Sequence, residues 1–388
     1  MLPGARPSMS ASTPNERGVT RRLLSAGNWP YFLTPLIPIA IVLELADANE
    51  VAIFITSALG VVPPAALMGK ATEELAARSG PGIGGLLNVT FGNFPELVIA
   101  FFALLEGLQE VVKASIIGSI IGNILLVLGA AMVAGGLTPG YRRGGEQRFH
   151  PTVVGAQSAM LLLAVTALVM PAVFQLVTGG GLPSPVAKDV DFGSDVEKLS
   201  FAVALVLIVS YVAGLVFSLR THRDIFNPDY AHDVTGWSTR QAVMVLALSG
   251  VAVGLMSEIL VGSLEHAATS IGLSEFFIGA IVVAIVGNVA EHWVAVYVAR
   301  KDQMDLSVSI SIGSSAQIAL FVAPVLVLLS FVIGDHPMPL VFNGLELGAL
   351  VLAVLIANRV TVEGKSNWFE GVQLLGVYLI LAFAFGFA

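Results

Sequence analysis

The chain has 388 residues, 56% of them hydrophobic and only 12% charged, with a formal net charge of −8 and no cysteine. Soluble domains carry roughly twice that charged fraction, so the composition is that of a polytopic membrane protein. The acidic balance argues against nucleic acid as a partner, and the missing thiols exclude disulfides, thiolate chemistry and cysteine metal sites.

Residues 1–28 are polar and lack a hydrophobic period, which reads as a disordered cytoplasmic tail. No apolar region with a small-residue cleavage site precedes the first span, so a cleaved signal peptide is not expected. A membrane span needs about 20 apolar residues. Eleven such stretches follow, near 30–47, 51–70, 82–105, 111–134, 151–175, 198–219, 240–262, 275–299, 306–333, 339–357 and 367–387. The predicted fold class is an all-α polytopic membrane protein with 11 transmembrane helices. With the N-terminus in the cytoplasm, sixteen of the 19 Lys and Arg fall in cytoplasmic segments, and only Lys113, Lys188 and Lys198 lie in outer connections. One span more or fewer would scramble that partition, so the C-terminus is expected outside. The compact loops fit a prokaryotic inner (plasma) membrane. Forty glycines and 19 prolines point to close helix packing and broken helices.

The third stretch, GIGGLLNVTFGNFPELVIAFFA (82–103), matches the eighth, FIGAIVVAIVGNVAEHWVAVYV (277–298), at a fixed offset of 195. Gly92-Asn93 meets Gly287-Asn288, Glu96 meets Glu291, and Ile117-Gly118-Ser119 meets Ile312-Gly313-Ser314. Apolar matches are cheap in so apolar a chain; the polar ones are not. Five spans separate the copies, an odd number, so the two halves run in opposite orientation. The expected organisation is an extra first helix at 29–49, a five-helix repeat at 50–220, a cytoplasmic linker at 221–239 and an inverted repeat at 240–388. Inverted repeats of this kind build alternating-access transporters, with the site near the midplane where the halves meet.

A charge at the bilayer centre costs about 2.5–3.5 kcal/mol even on lenient scales, so Glu96 and Glu291 are functional candidates by default. No Lys or Arg is expected in the core of any span to pair with them. Asn93 and Glu96 are three residues apart and share a helix face, and Asn288 and Glu291 repeat that face. The neighbouring spans add Ser119 and Asn123 on one side and Ser311, Ser314, Ser315 and Gln317 on the other. The inventory is rich in oxygen and free of sulfur, which suits a hard cation such as Ca²⁺. Once the cation leaves, two adjacent carboxylates in low dielectric cannot both stay ionised, so protons and metal compete for one site. Asn93 and Asn288 are expected as ligands rather than as links between helices, while the serines, Asn123 and Gln317 serve equally as ligands or as packing residues.

At these residues the sequence resembles the Ca²⁺/H⁺ antiporter family of the cation/Ca²⁺ exchanger superfamily. GGLLNVTFGNFPELVIA (84–100) and VGNVAEHWVAVYVARKDQMDL (286–306) are similar to its two repeat motifs, and GSIIGNILLVLG (118–129) and GSSAQIALFVAP (313–324) to the helices beside them. The resemblance covers most of the chain from about residue 30. It implies Glu96 and Glu291 as central cation and proton ligands, supported by Asn93, Asn288, Ser119, Asn123, Ser314 and Gln317. His292 matches the histidine after the second glutamate and is expected to relay protons or orient Glu291. Phe94-Pro95 departs from the usual small residue and Thr, and its Pro-Glu pair is similar to the Na⁺/Ca²⁺ branch.

The expected activity is extrusion of cytoplasmic Ca²⁺ in exchange for H⁺. The alternatives are Na⁺(K⁺)/H⁺ or Na⁺/Ca²⁺ exchange on the same fold and, more remotely, an intramembrane metalloenzyme or a cation channel. No enzyme activity and no cofactor beyond the transported Ca²⁺ and H⁺ are expected. The partners are the lipid bilayer and, left open, a homo-oligomer. Glu258 is expected to be buried on the ion path, and Glu73 and Glu74 to line a cytoplasmic vestibule.

Overall fold

The computed structural model describes residues 28–138, 146–185, 192–222, 236–333 and 336–388. Nearly all of the expected tail 1–28, and 223–235 of the linker, lie outside the described residues. Among the described residues, nine helices are long and apolar enough to cross a membrane, and two shorter apolar segments accompany them, Trp29–Leu45 and Phe94–Leu105. The chain is an integral membrane protein.

After a 3₁₀ turn at Trp29–Leu33, α1 runs Leu36–Leu45. Helix α2 is Glu50–Gly92, opened by the Asn49 side chain, which accepts the Ala52 N–H. Then come α3 at Phe94–Leu105 and α4 at Gln109–Gly136. Helix α5 is Pro151–Val177 and α6 is Ser194–Thr221. Helix α7 is Thr239–Gly262, followed by a short α8 at Leu264–Ile271 that sequence reading did not anticipate. The series ends with α9 at Glu275–Ala299, α10 at Met304–Ser330, α11 at Gly344–Thr361 and α12 at Trp368–Gly386. Reciprocal capping boxes start α7 at Ser238, α11 at Asn343 and α12 at Asn367.

The 43 residues of α2 do not form a straight rod. At 1.5 Å per residue, Met68 and Phe94 would stand roughly 39 Å apart in one helix. Both nevertheless reach the same spot, since a Cβ on Gly250 would lie 3.4 Å from Met68 Cε and 3.9 Å from Phe94 Cε1. A Cβ on Gly84 would meet the Ala76 carbonyl oxygen at 2.4 Å. The helical run therefore doubles back between Ala76 and Gly84. The expected spans 51–70 and 82–105 are the two arms of this reversal, and the second arm breaks again at Asn93.

Helices α4 and α10 occupy the centre. Every residue from Val111 to Leu125 is buried. The two helices start at Gln109 and Met304, the same separation as Glu96 and Glu291, and each contains a π-helical segment, Gly122–Val127 and Ile318–Val322. They touch where the Ser315 hydroxyl donates to the Ile120 carbonyl at 3.2 Å. Helices α5 and α6 are peripheral, with Leu163, Val206 and Val209 among many exposed apolar side chains.

One feature departs from all-α. A two-residue antiparallel ribbon joins β1 (Gln147–Arg148) to β2 (Lys365–Ser366). Buried Gln147 anchors it, donating to the Met132 carbonyl and accepting from the Ser366 hydroxyl. At the other end of the bundle Lys113 is not a loop residue. It is 1% exposed, ion-paired with Glu110 at 2.5 Å, and donates to the Val341 carbonyl at 3.1 Å. The expectation that Lys113 lies in an outer connection thus fails: it stands in the first turns of α4, and its stem carries the ammonium to the 337–343 segment.

Candidate functional site

The first motif is a helix break. Asn93 has φ −99° and ψ 21°, ending α2 and beginning α3, and Pro95 occupies the first turn of α3, where its missing N–H costs nothing. Glu96 follows in that first turn, so its carboxylate sits at the positive end of the short helix. In the second copy Ala290 replaces the proline, and α9 continues unbroken through Glu291.

The two motifs cross at their glycines. A Cβ on Gly287 would lie 3.1 Å from Glu96 Cγ, and a Cβ on Gly92 would lie 3.3 Å from Glu291 Oε1. Each glutamate therefore rests on the glycine of the other motif, where even one methyl group would be a tight fit. A second crossing supports the first. A Cβ on Gly118 would meet the Ala280 carbonyl oxygen at 1.9 Å, and one on Gly279 the Val111 carbonyl oxygen at 2.9 Å. Helices α4 and α9 are thus in backbone contact.

Around this crossing the expected polar residues converge. Asn93 Nδ2 donates to Gln317 Oε1 at 2.6 Å, and the Ser314 hydroxyl to Glu291 Oε2 at 2.5 Å. Asn288 Nδ2 donates to Ser119 Oγ at 3.0 Å and to the Ala284 carbonyl at 2.9 Å. Asn123 Nδ2 reaches Asn288 Oδ1 at 3.4 Å, and His292 Nε2 is 3.1 Å from Asn123 Oδ1. Glu96 is 8% exposed, and neither of its carboxylate oxygens has a hydrogen-bond partner; Asn93 Oδ1 is likewise buried and unpartnered. Buried acceptors left without donors are costly, so three such oxygens in one place are positioned for a cation or a proton. Among the described residues no three acids or histidines cluster as at a resident metal site. Two carboxylates with amide and hydroxyl oxygens suit a cation that comes and goes.

Other expected residues lie elsewhere. Glu258 is exposed, not buried, and its charge acts on Glu44 together with Glu50 and Asp47. It belongs to an acidic rim at the end of α1, because α7 turns that face outward. Glu73 is exposed and Glu74 is buried, with Arg78 3.7 Å from Glu74.

Sequence reading missed Gln157 of α5. Its Nε2 lies 3.2 Å from where a Cβ on Gly313 would stand, beside Ser314, and its Oε1 is buried without a partner. A lone glutamine in an apolar span was the available signal.

Comparison with known proteins bears on this geometry. Residues 49–220 and 241–387 match the family described as sodium/calcium exchanger protein. The chain is 46% identical over 360 residues to a Ca²⁺/H⁺ antiporter of Synechocystis, covering 87% of this chain and 92% of that one. It is 41% identical over 355 residues to the Ca²⁺/H⁺ antiporter ChaA of Bacillus subtilis, covering 90% and 96%. The solved structure of native YfkE superposes with a TM-score of 0.77 at 37% identity, covering 92% of this chain and all of that one. The H⁺/Ca²⁺ exchanger CAX shares the fold, with a TM-score of 0.66 at 16% identity and coverage of 94% and 92%.

Proposed function

This chain belongs to the sodium/calcium exchanger protein family, and from that premise we propose that it exchanges Ca²⁺ for H⁺ across the membrane by alternating access. Glu96 and Glu291 bind the cation and protons in turn. The observation that carries this reading is the crossing of Gly92 and Gly287, which brings the buried Glu96 and the half-buried Glu291 from the two motifs against each other's glycines. The unpartnered oxygens of Glu96 and Asn93 supply ligands from one side. Glu291, oriented by Ser314, supplies them from the other. When Ca²⁺ leaves, protons replace it, because two facing carboxylates in low dielectric cannot both remain charged. Two protons per Ca²⁺ would make the exchange electroneutral. The sequences of the Ca²⁺/H⁺ antiporters it resembles support the choice of ions.

The architecture that serves this cycle is eleven crossings with the N-terminus inside, built from two inverted halves. The mutual contact of Ile120 and Ser315 supports it, because equivalent positions meet only near an approximate two-fold axis. Glu73 and Glu74 then stand at the cytoplasmic end, as a vestibule. Sodium as the coupling ion is the second reading, favoured by Pro95 before Glu96.

The deciding experiment uses purified protein in liposomes with an internal Ca²⁺ dye. Uptake driven by a pH gradient alone, and lost in both Glu96→Gln and Glu291→Gln, is expected. Uptake that requires a Na⁺ gradient would replace protons by sodium. Retained flux in both variants would remove the glutamates from the mechanism.

A further inference from the structure

The hydrogen bonds around the second motif have a fixed direction, and it can be read from one backbone group. The Ala284 carbonyl can only accept. Asn288 faces it at 2.9 Å, so the amide nitrogen of Asn288 is on that side, and its other hydrogen goes to Ser119 Oγ at 3.0 Å. Asn288 Oδ1 must then be the atom facing Asn123, which has to present its own NH₂, at 3.4 Å. That leaves Asn123 Oδ1 toward His292, and an amide oxygen can only accept. His292 Nε2, 3.1 Å away, therefore carries a hydrogen. The chain runs His292 to Asn123 to Asn288 to Ser119, every link donating to the next. Asn123 and Ser119 are buried, and Asn288 is 0% exposed with both amide hydrogens and its oxygen engaged.

Resting on the Ca²⁺/H⁺ reading above, we propose that His292 is a positioning residue, a fixed Nε2–H donor that locks this chain in one direction and thereby makes the two motif asparagines unequal. Asn93 offers its oxygen to the cation; Asn288 does not, because its amide is consumed in the wall of the site. The first motif lacks such an anchor. Asn93 pairs only with another side-chain amide, Gln317, so the two can turn over together, and Asn93 Oδ1 has no competing donor. Ser119, at the end of the directed chain, accepts from Asn288 and keeps its own hydroxyl hydrogen to give. It stands to Glu96 in the repeat as Ser314 stands to Glu291, and Ser314 does donate to its glutamate. A consequence follows for proton traffic. Nε2 donates whether the ring is neutral or charged, so no proton passes from Asn123 into His292 along this chain.

The test reads the tautomer directly. Of the six histidines, His150, His222, His266 and His336 are exposed. With all five others replaced, a ¹⁵N-histidine-labelled chain in nanodiscs gives one histidine signal. The expected spectrum is Nε2 protonated and Nδ1 bare, unchanged by saturating Ca²⁺. An Nδ1–H ring, or a ring that changes tautomer with Ca²⁺, overturns the proposal. Transport supplies the second readout. His292→Phe should lower the rate about tenfold, and His292→Gln, which keeps a donor, should recover most of it. The His292→Phe, Asn288→Ala double variant should be no worse than the poorer single one, as for residues acting as one unit. Additive losses, or no rescue by Gln, would also overturn it. If the wild type shows no pH-driven Ca²⁺ flux, the functional reading fails, while the tautomer still decides this inference.

Discussion

Gly287 is the position at which one methyl group tests the site. Its Cβ would stand 3.1 Å from Glu96 Cγ and 3.7 Å from Glu96 Cδ, so Gly287→Ala asks the Glu96 side chain to give by a few tenths of an ångström at Cγ. Overpacking costs roughly 1–3 kcal/mol, and each 1.4 kcal/mol is tenfold, so Ca²⁺ transport should fall by about tenfold or more. Wild-type elution on size exclusion with an unchanged transport rate would show that Glu96 has room to give. The sequence made Glu96, Glu291 and their asparagines visible, because a polar pattern repeated in an apolar chain has few other causes. It could not show that each glutamate lies on the opposite motif's glycine, since a helix face is legible in sequence but what lies across from it is not. Lys113 was misread for a related reason. A lone lysine at the edge of an apolar run looks like a loop charge, yet it is buried against Glu110, near the fully buried Glu346 whose Oε1 has no partner. Lys113→Ala would remove the ion-pair partner of Glu110 and the donor to the Val341 carbonyl, and breaking such a partly buried pair costs up to about 3 kcal/mol. A lowered thermal unfolding midpoint in detergent is the expected result; an unchanged midpoint would mean the pair with Glu110 contributes nothing to stability.

At the scale of elements, the reversal inside α2 is the arrangement most open to measurement. Lys70 and Thr90 would be about 30 Å apart on a straight helix, and about one interhelical spacing, 8–10 Å, apart if the run doubles back. The chain has no native cysteine, so spin labels on Lys70→Cys and Thr90→Cys report one distance by electron–electron resonance. A short distance is expected, and one near 30 Å would straighten α2 and separate Met68 from Phe94. Hydropathy read the two arms as separate spans, 51–70 and 82–105, without showing where the chain turns between them. The break at Asn93 was half legible. Pro95 signals a helix start, but only the three-dimensional packing shows that the second copy, with Ala290, stays continuous. The paired π segments left no sequence signal at all. A π turn inserts one residue into the helical ladder wherever packing demands it, and such insertions recur at functional sites. Here they follow Ser119 in α4 and Gln317 in α10, the residues that touch the motif asparagines.

For the whole molecule, the connections sort themselves into two groups by direct contact. In one group, Phe149 N donates to the Gly364 carbonyl, His150 N to Asp305, and β1 pairs with β2. In the other, Gln109 donates to the His336 carbonyl, Lys113 to Val341, and Leu340 N to Ser200. Segments in contact outside a bilayer share a side, so an even number of crossings must separate Arg148 from Lys365, and an even number His150 from Asp305. The six and four expected from hydropathy satisfy both. The first group holds Arg148 and Lys365, and the second holds Lys113 and borders Lys198. Contact fixes which connections share a side but not which side is the cytoplasm; only the basic residues speak to that. Lys198→Cys and Lys365→Cys, each alone in a cysteine-free chain, decide it, because both positions are exposed at 74% and 52% of their side chains. An impermeant maleimide applied to intact cells should label Lys198→Cys and reach Lys365→Cys only after lysis. The reverse pattern would invert the molecule and turn an exporter of cytoplasmic Ca²⁺ round. Labelling of both in intact cells would place an even number of crossings between them, against the five expected from hydropathy.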